Sequence, residues 1–136
     1  MYCHKLGLPK RHMTKILVID DDVLVRKSIV HLLEGAGYQV LTAEDGARGM
    51  AIFRNEQPDL VITDIVMPEQ EGIQTITEIR KAKPDAKIIA ISGGGRIADT
   101  DFLRIAQVLG AMAAISKPFD PDELLALAKD CLAKPA

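Results

Sequence analysis

The chain has 136 residues, of which 48% are hydrophobic and 26% charged, and its formal net charge is −2. That is the length and make-up of one ordinary domain, without the basic excess of a nucleic-acid surface or an apolar run near the roughly 18 residues of a membrane span. Cys3 and Cys131 have no metal-ligand spacing, so both are expected to be free thiols in a reducing, cytoplasmic setting.

Residues 1–14 read as a polar, basic extension, with Met13 as an alternative start. The first ten residues lack a sustained apolar core and a small-residue cleavage site, so no secretory signal is expected. His4 and His12 stand there without partners and are expected to be solvent-exposed. Lys15 to Ile19 has the continuous apolar character of a strand covered on both faces, and it ends in Asp20-Asp21-Asp22. Val25, Ile29, Leu32 and Leu33 then recur at helical spacing, with Asp22 as cap and Gly35 and Gly37 as stops. His31 falls on the outer face of that helix.

Tyr38 to Ala43 reads as the second strand. Asp45 caps a helix expected to bury Ala47, Met50 and Phe53, and Pro58 ends the unit. The third strand, Leu60 to Asp64, runs straight into a carboxylate and a loop containing Pro68 and Gly72. Ile73, Ile76 and Ile79 mark the next helix, which terminates near Pro84. Lys87 to Ser92 is the fourth strand, followed by Gly93-Gly94-Gly95. A helix opening at Asp99 or Thr100 should run to Gly110. Ala113 to Ser116 is a short fifth strand before Lys117-Pro118-Phe119. The last helix has Asp120 as cap, Pro121 at its first position and Glu123 placed to close a capping box; Leu124, Leu125, Leu127, Ala128 and Leu132 form its apolar face.

Five strand–helix units with short connections predict an α/β fold, a doubly wound five-stranded parallel sheet with helices on both faces. No linker, repeat or second domain interrupts it, and residues 15–133 form the expected domain. Ligands of such sheets bind beyond the carboxyl ends of the strands. Read only at those ends, the sequence offers Asp20, Asp21, Asp64, Ser92 and Lys117. With a 2-1-3-4-5 strand order the strands that carry them are neighbours.

Two carboxylates about 4 Å apart repel by roughly 4 kcal/mol at an effective dielectric near 20. A site with three wants a cation, and oxygen-only ligands at a wet edge suit Mg²⁺. A hydroxyl and an ammonium opposite suit an anion with several oxygens. Together they describe a carboxylate that accepts a phosphoryl group, a transfer governed by positioning and charge neutralisation. Each residue alone has a plainer reading: a cap for Asp20 and Asp21, a turn former for Asp64 and Ser92, a solvated loop lysine for Lys117.

The set Val18-Ile19-Asp20-Asp21-Asp22, Asp64-Ile65-Val66-Met67-Pro68 with Gly72, Ser92, and Lys117-Pro118-Phe119 resembles the signature of response-regulator receiver domains, over residues 15 to about 133. The resemblance implies a flavodoxin-like (βα)5 fold and a two-component phosphorelay protein. Asp64 would accept the phosphoryl group from a sensor histidine kinase or a histidine phosphotransfer protein. Asp21 would bind Mg²⁺ directly and Asp20 directly or through water, with Asp64 and the backbone carbonyl of Val66 completing the metal site. Ser92 and Lys117 would take phosphoryl oxygens, and the Lys117-Pro118 bond would be cis. Such a protein catalyses only its own phosphorylation and dephosphorylation. It is expected to act through contacts with a downstream protein, without a DNA-binding module or a membrane.

Ala114 stands three residues before Lys117, where the family commonly carries a switching aromatic. The segment from Gly93 to Thr100, which opens with Gly93-Gly94-Gly95, is long for the family, and ordering of this loop becomes the expected way the signal is read. Two other readings share the chemistry or the fold. A phosphohydrolase resembling the haloacid-dehalogenase type would space its two aspartates one residue apart, whereas Asp20, Asp21 and Asp22 are contiguous. A flavodoxin-type electron carrier would need a phosphate-cradling loop where this chain has three acidic residues.

Overall fold

A computed structural model of the chain describes residues 13–65, 71–92 and 108–134. Its strands are β1 (Lys15–Ile19), β2 (Gln39–Ala43), β3 (Leu60–Asp64), β4 (Ile88–Ser92) and β5 (Ala113–Ser116). They form one five-stranded sheet in the order β2-β1-β3-β4-β5, and all four pairings are parallel. The helices among the described residues are α1 (Val23–Gly35), α2 (Gly46–Glu56), α3 (Glu71–Ala82) and α4 (Pro121–Ala133). The doubly wound parallel architecture expected from the strand–helix alternation is therefore the observed one.

The continuous apolar strands have a direct explanation in the packing. Successive residues of a strand face opposite ways, and here both faces are covered. Ile16 and Val18 join Ile62, Ile89, Ile29, Leu33, Leu124 and Ala128 under α1 and α4. Leu17 and Ile19 join Val61, Ile88, Met50, Phe53, Ile76 and Ile79 under α2 and α3. No polar face remains on β1, β3 or β4 to give an alternating pattern.

Local signals set most helix starts. Asp22 accepts from the amides of Leu24 and Val25, Asp45 from Arg48, and Asp120 from Asp122. Each satisfies amides that have no partner within their own helix. His31 is exposed, as its place on the helix suggested. Several details differ from the sequence reading. α1 continues through Gly35 and is capped by Ala36. Ala47 is exposed, and Gly49 takes the buried place beside Met50 and Phe53. On α4 the fully buried positions are Leu124, Ala128 and Cys131, with Leu125, Leu127 and Leu132 only partly covered. Cys131 is a free, buried thiol, and burial pushes its pKa up. Cys3, His4, His12, the glycines at 93–95 and most of the helix expected from residue 99 lie outside the described residues.

The chain enters β5 through Gly110, whose φ is +86°. Arg80 of α3 donates to the carbonyls of Pro84 and Gly110. A Cβ at Gly110 would lie 2.9 Å from the Arg80 Nε. Gly110→Ala is therefore expected to cost about 1–2 kcal/mol, the price of a left-handed conformation for an L side chain. A urea titration checks it, and an unchanged midpoint would contradict the account.

Candidate acidic phosphoacceptor site

β1 and β3 are neighbours, and their last shared pair is Ile19 with Thr63. The next residues along each, Asp20 and Asp64, therefore emerge at the same edge of the sheet. Asp64 is paired with Ile91 of β4, which brings Ser92 out one step further along that edge. Lys117 follows β5 directly, and its amide donates to the Ser92 carbonyl at 2.9 Å. The Lys117–Pro118 peptide is cis, as the resemblance implied.

The Lys117 ammonium reaches both buried carboxylates. Its Nζ donates to Asp64 Oδ2 at 2.8 Å and lies 2.9 Å from Asp20 Oδ2. Only the first contact is aligned as a hydrogen bond. The second is an ion pair, and it leaves Asp20 Oδ2 buried without a hydrogen-bond partner among the described residues. Burial is the strongest single influence on the Lys117 pKa and acts to lower it. The hydrogen bond to Asp64 and the nearby charges of Asp64 and Asp20 together outweigh it and hold the pKa above the ordinary 10.5.

Asp20 is wholly buried and Asp64 is 2% exposed, whereas Asp21 is open to solvent. One carboxylate oxygen from each of the three lies within 4.8 Å of the others. At that separation each like-charged pair costs roughly 3–4 kcal/mol at an effective dielectric near 20. One ammonium cannot offset three carboxylates, so the cluster keeps a demand for positive charge. Asp20 Oδ2, ion-paired with Lys117 but without an aligned hydrogen bond, has a lone pair to offer a metal cation. The donor set, all oxygen and at a partly wet edge, fits a hard divalent ion. Ser92 is 2% exposed at the end of β4. Val66 lies outside the described residues.

Gly72 explains how α3 meets this site. A Cβ there would collide with the Asp64 carbonyl oxygen and lie 2.5 Å from Ile65 Cα. The first turn of α3 thus rests directly on the backbone at the end of β3. Ala114 is opposite Ala90 in the β4–β5 register and packs on the α2–α3 side, a methyl group where the family commonly has a ring.

Two residues escaped the sequence reading. Thr63, fully buried, donates its hydroxyl to the Asp64 carbonyl at 3.2 Å. Arg26 donates from Nη1 to the Asp20 carbonyl at 2.7 Å. A signal for Arg26 existed: it lies four residues after the Asp22 cap, and helical side chains lean toward the helix N-terminus, here over the end of β1.

Comparison with known proteins agrees with this geometry. The response regulator receiver domain family matches residues 16–129. A probable transcriptional regulator, ycf27, of Cyanophora paradoxa is 40% identical over 119 residues, which cover 87% of this chain and 48% of that protein. The transcriptional regulatory protein GlrR of Escherichia coli is 36% identical over 121 residues, covering 89% of this chain and 27% of that protein. The chain thus spans about half the length, or less, of these curated relatives. Among solved structures, a CheY-like receiver domain protein of Methanospirillum hungatei superimposes with a TM-score of 0.79 at 31% identity, covering 89% of this chain and 94% of the other. A receiver domain protein of Clostridium thermocellum gives 0.79 at 34% identity, covering 88% and 94%. No helix among the described residues is long and apolar enough to cross a membrane. With its sheet order, its acidic edge and this match over most of its length, the chain belongs to the response regulator receiver domain family of two-component signalling.

Proposed function

We propose that Asp64 is the phosphoryl acceptor of a two-component phosphorelay and that its phosphorylation switches protein–protein contacts. The observation that carries this is the convergence of Asp64 with Asp20, Asp21 and Lys117 at the carboxyl edge of the sheet. Asp20, Asp21 and Asp64, with the Val66 carbonyl, are the groups assigned to hold Mg²⁺. The ion would supply charge neutralisation for the incoming phosphoryl oxygens.

The chain's own residues do the rest. Asp64 presents a carboxylate oxygen to phosphorus. The bond from phosphorus to the donor histidine nitrogen breaks as the bond to Asp64 forms; that nitrogen keeps the electron pair, and the ring, carrying a proton on its other nitrogen, leaves as neutral imidazole. Lys117, now shared between Asp64 and Asp20, turns to a phosphoryl oxygen, and Ser92 offers its hydroxyl to another. Burial of Asp64 at the floor of the edge limits the geometry of approach to one side.

The donor in this reading is a sensor histidine kinase or a histidine phosphotransfer protein. The receiver acts on no other substrate, so it is not a phosphohydrolase of small phosphomonoesters. Its output is a contact with a downstream protein. A second reading has one specific support: relatives about twice as long, or longer, are named as transcriptional regulators. In that reading the same switch would govern a transcriptional output. The acidic site is identical in both.

The test is intact mass after incubation with a small acyl phosphate and Mg²⁺. Here the phosphorus–oxygen bond to the acyl group breaks and the carboxylic acid leaves. Wild type is expected to gain one phosphoryl group, chelation of Mg²⁺ to prevent it, and Asp64→Asn to abolish it. An equal adduct on Asp64→Asn would transfer the acceptor role elsewhere, and no adduct on wild type would overturn the reading.

A further inference from the structure

We propose that Arg26 is a positioning residue of the acidic site. Its guanidinium holds the turn between β1 and α1 in the shape that lets two consecutive aspartates serve one cation. The inference rests on the reading of Asp20, Asp21 and Asp64 as Mg²⁺ ligands.

Consecutive side chains of an extended strand point to opposite faces, and β1 obeys this through Ile19. Continued extension would send the Asp20 and Asp21 carboxylates apart. Instead an oxygen of each lies within 4.8 Å of the other and of Asp64, although Asp20 is buried and Asp21 exposed. The chain must therefore bend at this pair.

Three hydrogen bonds define the bend. The Asp20 amide donates to the Ala43 carbonyl at 3.2 Å, continuing the ladder with β2. The Asp22 amide donates to Asp20 Oδ1 at 2.8 Å, which commits one carboxylate oxygen and leaves Oδ2 facing the cluster. The Arg26 guanidinium donates to the Asp20 carbonyl at 2.7 Å. That carbonyl lies one residue beyond the last β1–β3 pair. Of these three bonds, the one from Arg26 is the one made to that carbonyl, and it comes from α1. Arg26 is half-buried, and a planar, permanently charged guanidinium suits a fixed carbonyl better than a mobile ammonium does.

The assignment has a sign that a simple charge argument does not share. A positive charge beside a cation site weakens cation binding, so Arg26 acting through charge alone would make Mg²⁺ bind more tightly when removed. As a clamp it does the reverse. Groups that orient metal ligands typically change affinity by about tenfold or more when mutated.

The experiment is a calorimetric Mg²⁺ titration of the full chain at fixed ionic strength, for wild type, Arg26→Met and Arg26→Lys. It is read beside the metal-free thermal midpoint and amide exchange at Asp21 and Asp22. Arg26→Met is expected to weaken Mg²⁺ about tenfold, Arg26→Lys to recover roughly half of that loss on a logarithmic scale, and exchange at both amides to quicken. The metal-free midpoint should fall by no more than about 4 °C. Binding by Arg26→Met that is unchanged or tighter overturns the proposal. So does a large fall in midpoint with no recovery in Arg26→Lys, the mark of a purely structural residue. Wild type that binds no Mg²⁺ removes the metal reading as well, and so separates that failure from failure of the clamp.

Discussion

Lys117→Met is expected to cost the metal-free protein about 3 kcal/mol, because removing one partner of a buried ion pair leaves uncompensated charge. It should also cut phosphoryl acceptance by about a hundredfold or more, the usual effect of deleting a positioned charge at a reacting anion. The ammonium lies 2.8 Å from Asp64 and 2.9 Å from Asp20, both almost wholly buried. Methionine keeps the stem's packing and removes only the charge. Denaturant titration in chelator and mass-monitored phosphorylation by an acyl phosphate measure the two effects. Adding Asp20→Asn should return about 1–2 kcal/mol, since one buried charge then goes with its partner. Mg²⁺ should stabilise Lys117→Met more than wild type, having no ammonium to displace. A variant as stable and as readily phosphorylated as wild type would refute the assigned role.

The pH dependence of that difference has a defined sign. Lys117 has its pKa raised in the folded state above the ordinary 10.5, the surrounding carboxylates outweighing burial. A raised lysine contributes stability that is fully present below the unfolded value and is lost as pH climbs through the folded one. The gap between wild type and Lys117→Met should therefore stay level from neutrality up to 10.5 and narrow only beyond it.

Gly72→Ala sets two effects against each other. In a helix, alanine is better than glycine by about 1 kcal/mol. At this position, however, the new methyl would meet the Asp64 carbonyl and lie 2.5 Å from Ile65 Cα and 2.9 Å from Ile65 C. Those are backbone atoms of the central strand and the residue after it, and neither can rotate aside. Overpacking of this kind typically costs about 1–3 kcal/mol, sometimes more, so net destabilisation of about 1 kcal/mol is expected. The more telling effect is on the site. Retreat of the Asp64 backbone by about 1 Å would slow the proposed phosphoryl acceptance by about a hundredfold. Rates measured well below the melting range of both proteins separate this from unfolding. A raised midpoint with normal acceptance would show that α3 does not bear on Asp64 in this way.

Among the described residues, the sequence by itself determined the order of strands and helices, the caps at Asp22, Asp45 and Asp120, and the membership of the acidic edge. The physical reason is topological. In a parallel sheet with right-handed crossovers all strands end on one side, so residues that follow the apolar runs must gather there whatever the side chains do. Asp20, Asp64, Ser92 and Lys117 could be picked out for that reason alone. Tertiary structure decided what periodicity cannot carry. It buried Asp20 and exposed Asp21, aligned Lys117 on Asp64 but not on Asp20, and placed Cys131 in the core and Ala47 on the surface. It also put Arg26 on the Asp20 carbonyl and Gly72 against the Asp64 backbone. Each of these is a contact of a few ångströms that depends on how a helix is seated on the sheet. Helical spacing defines a face about 100° wide, which is too coarse to say which of two adjacent residues touches the strand beneath.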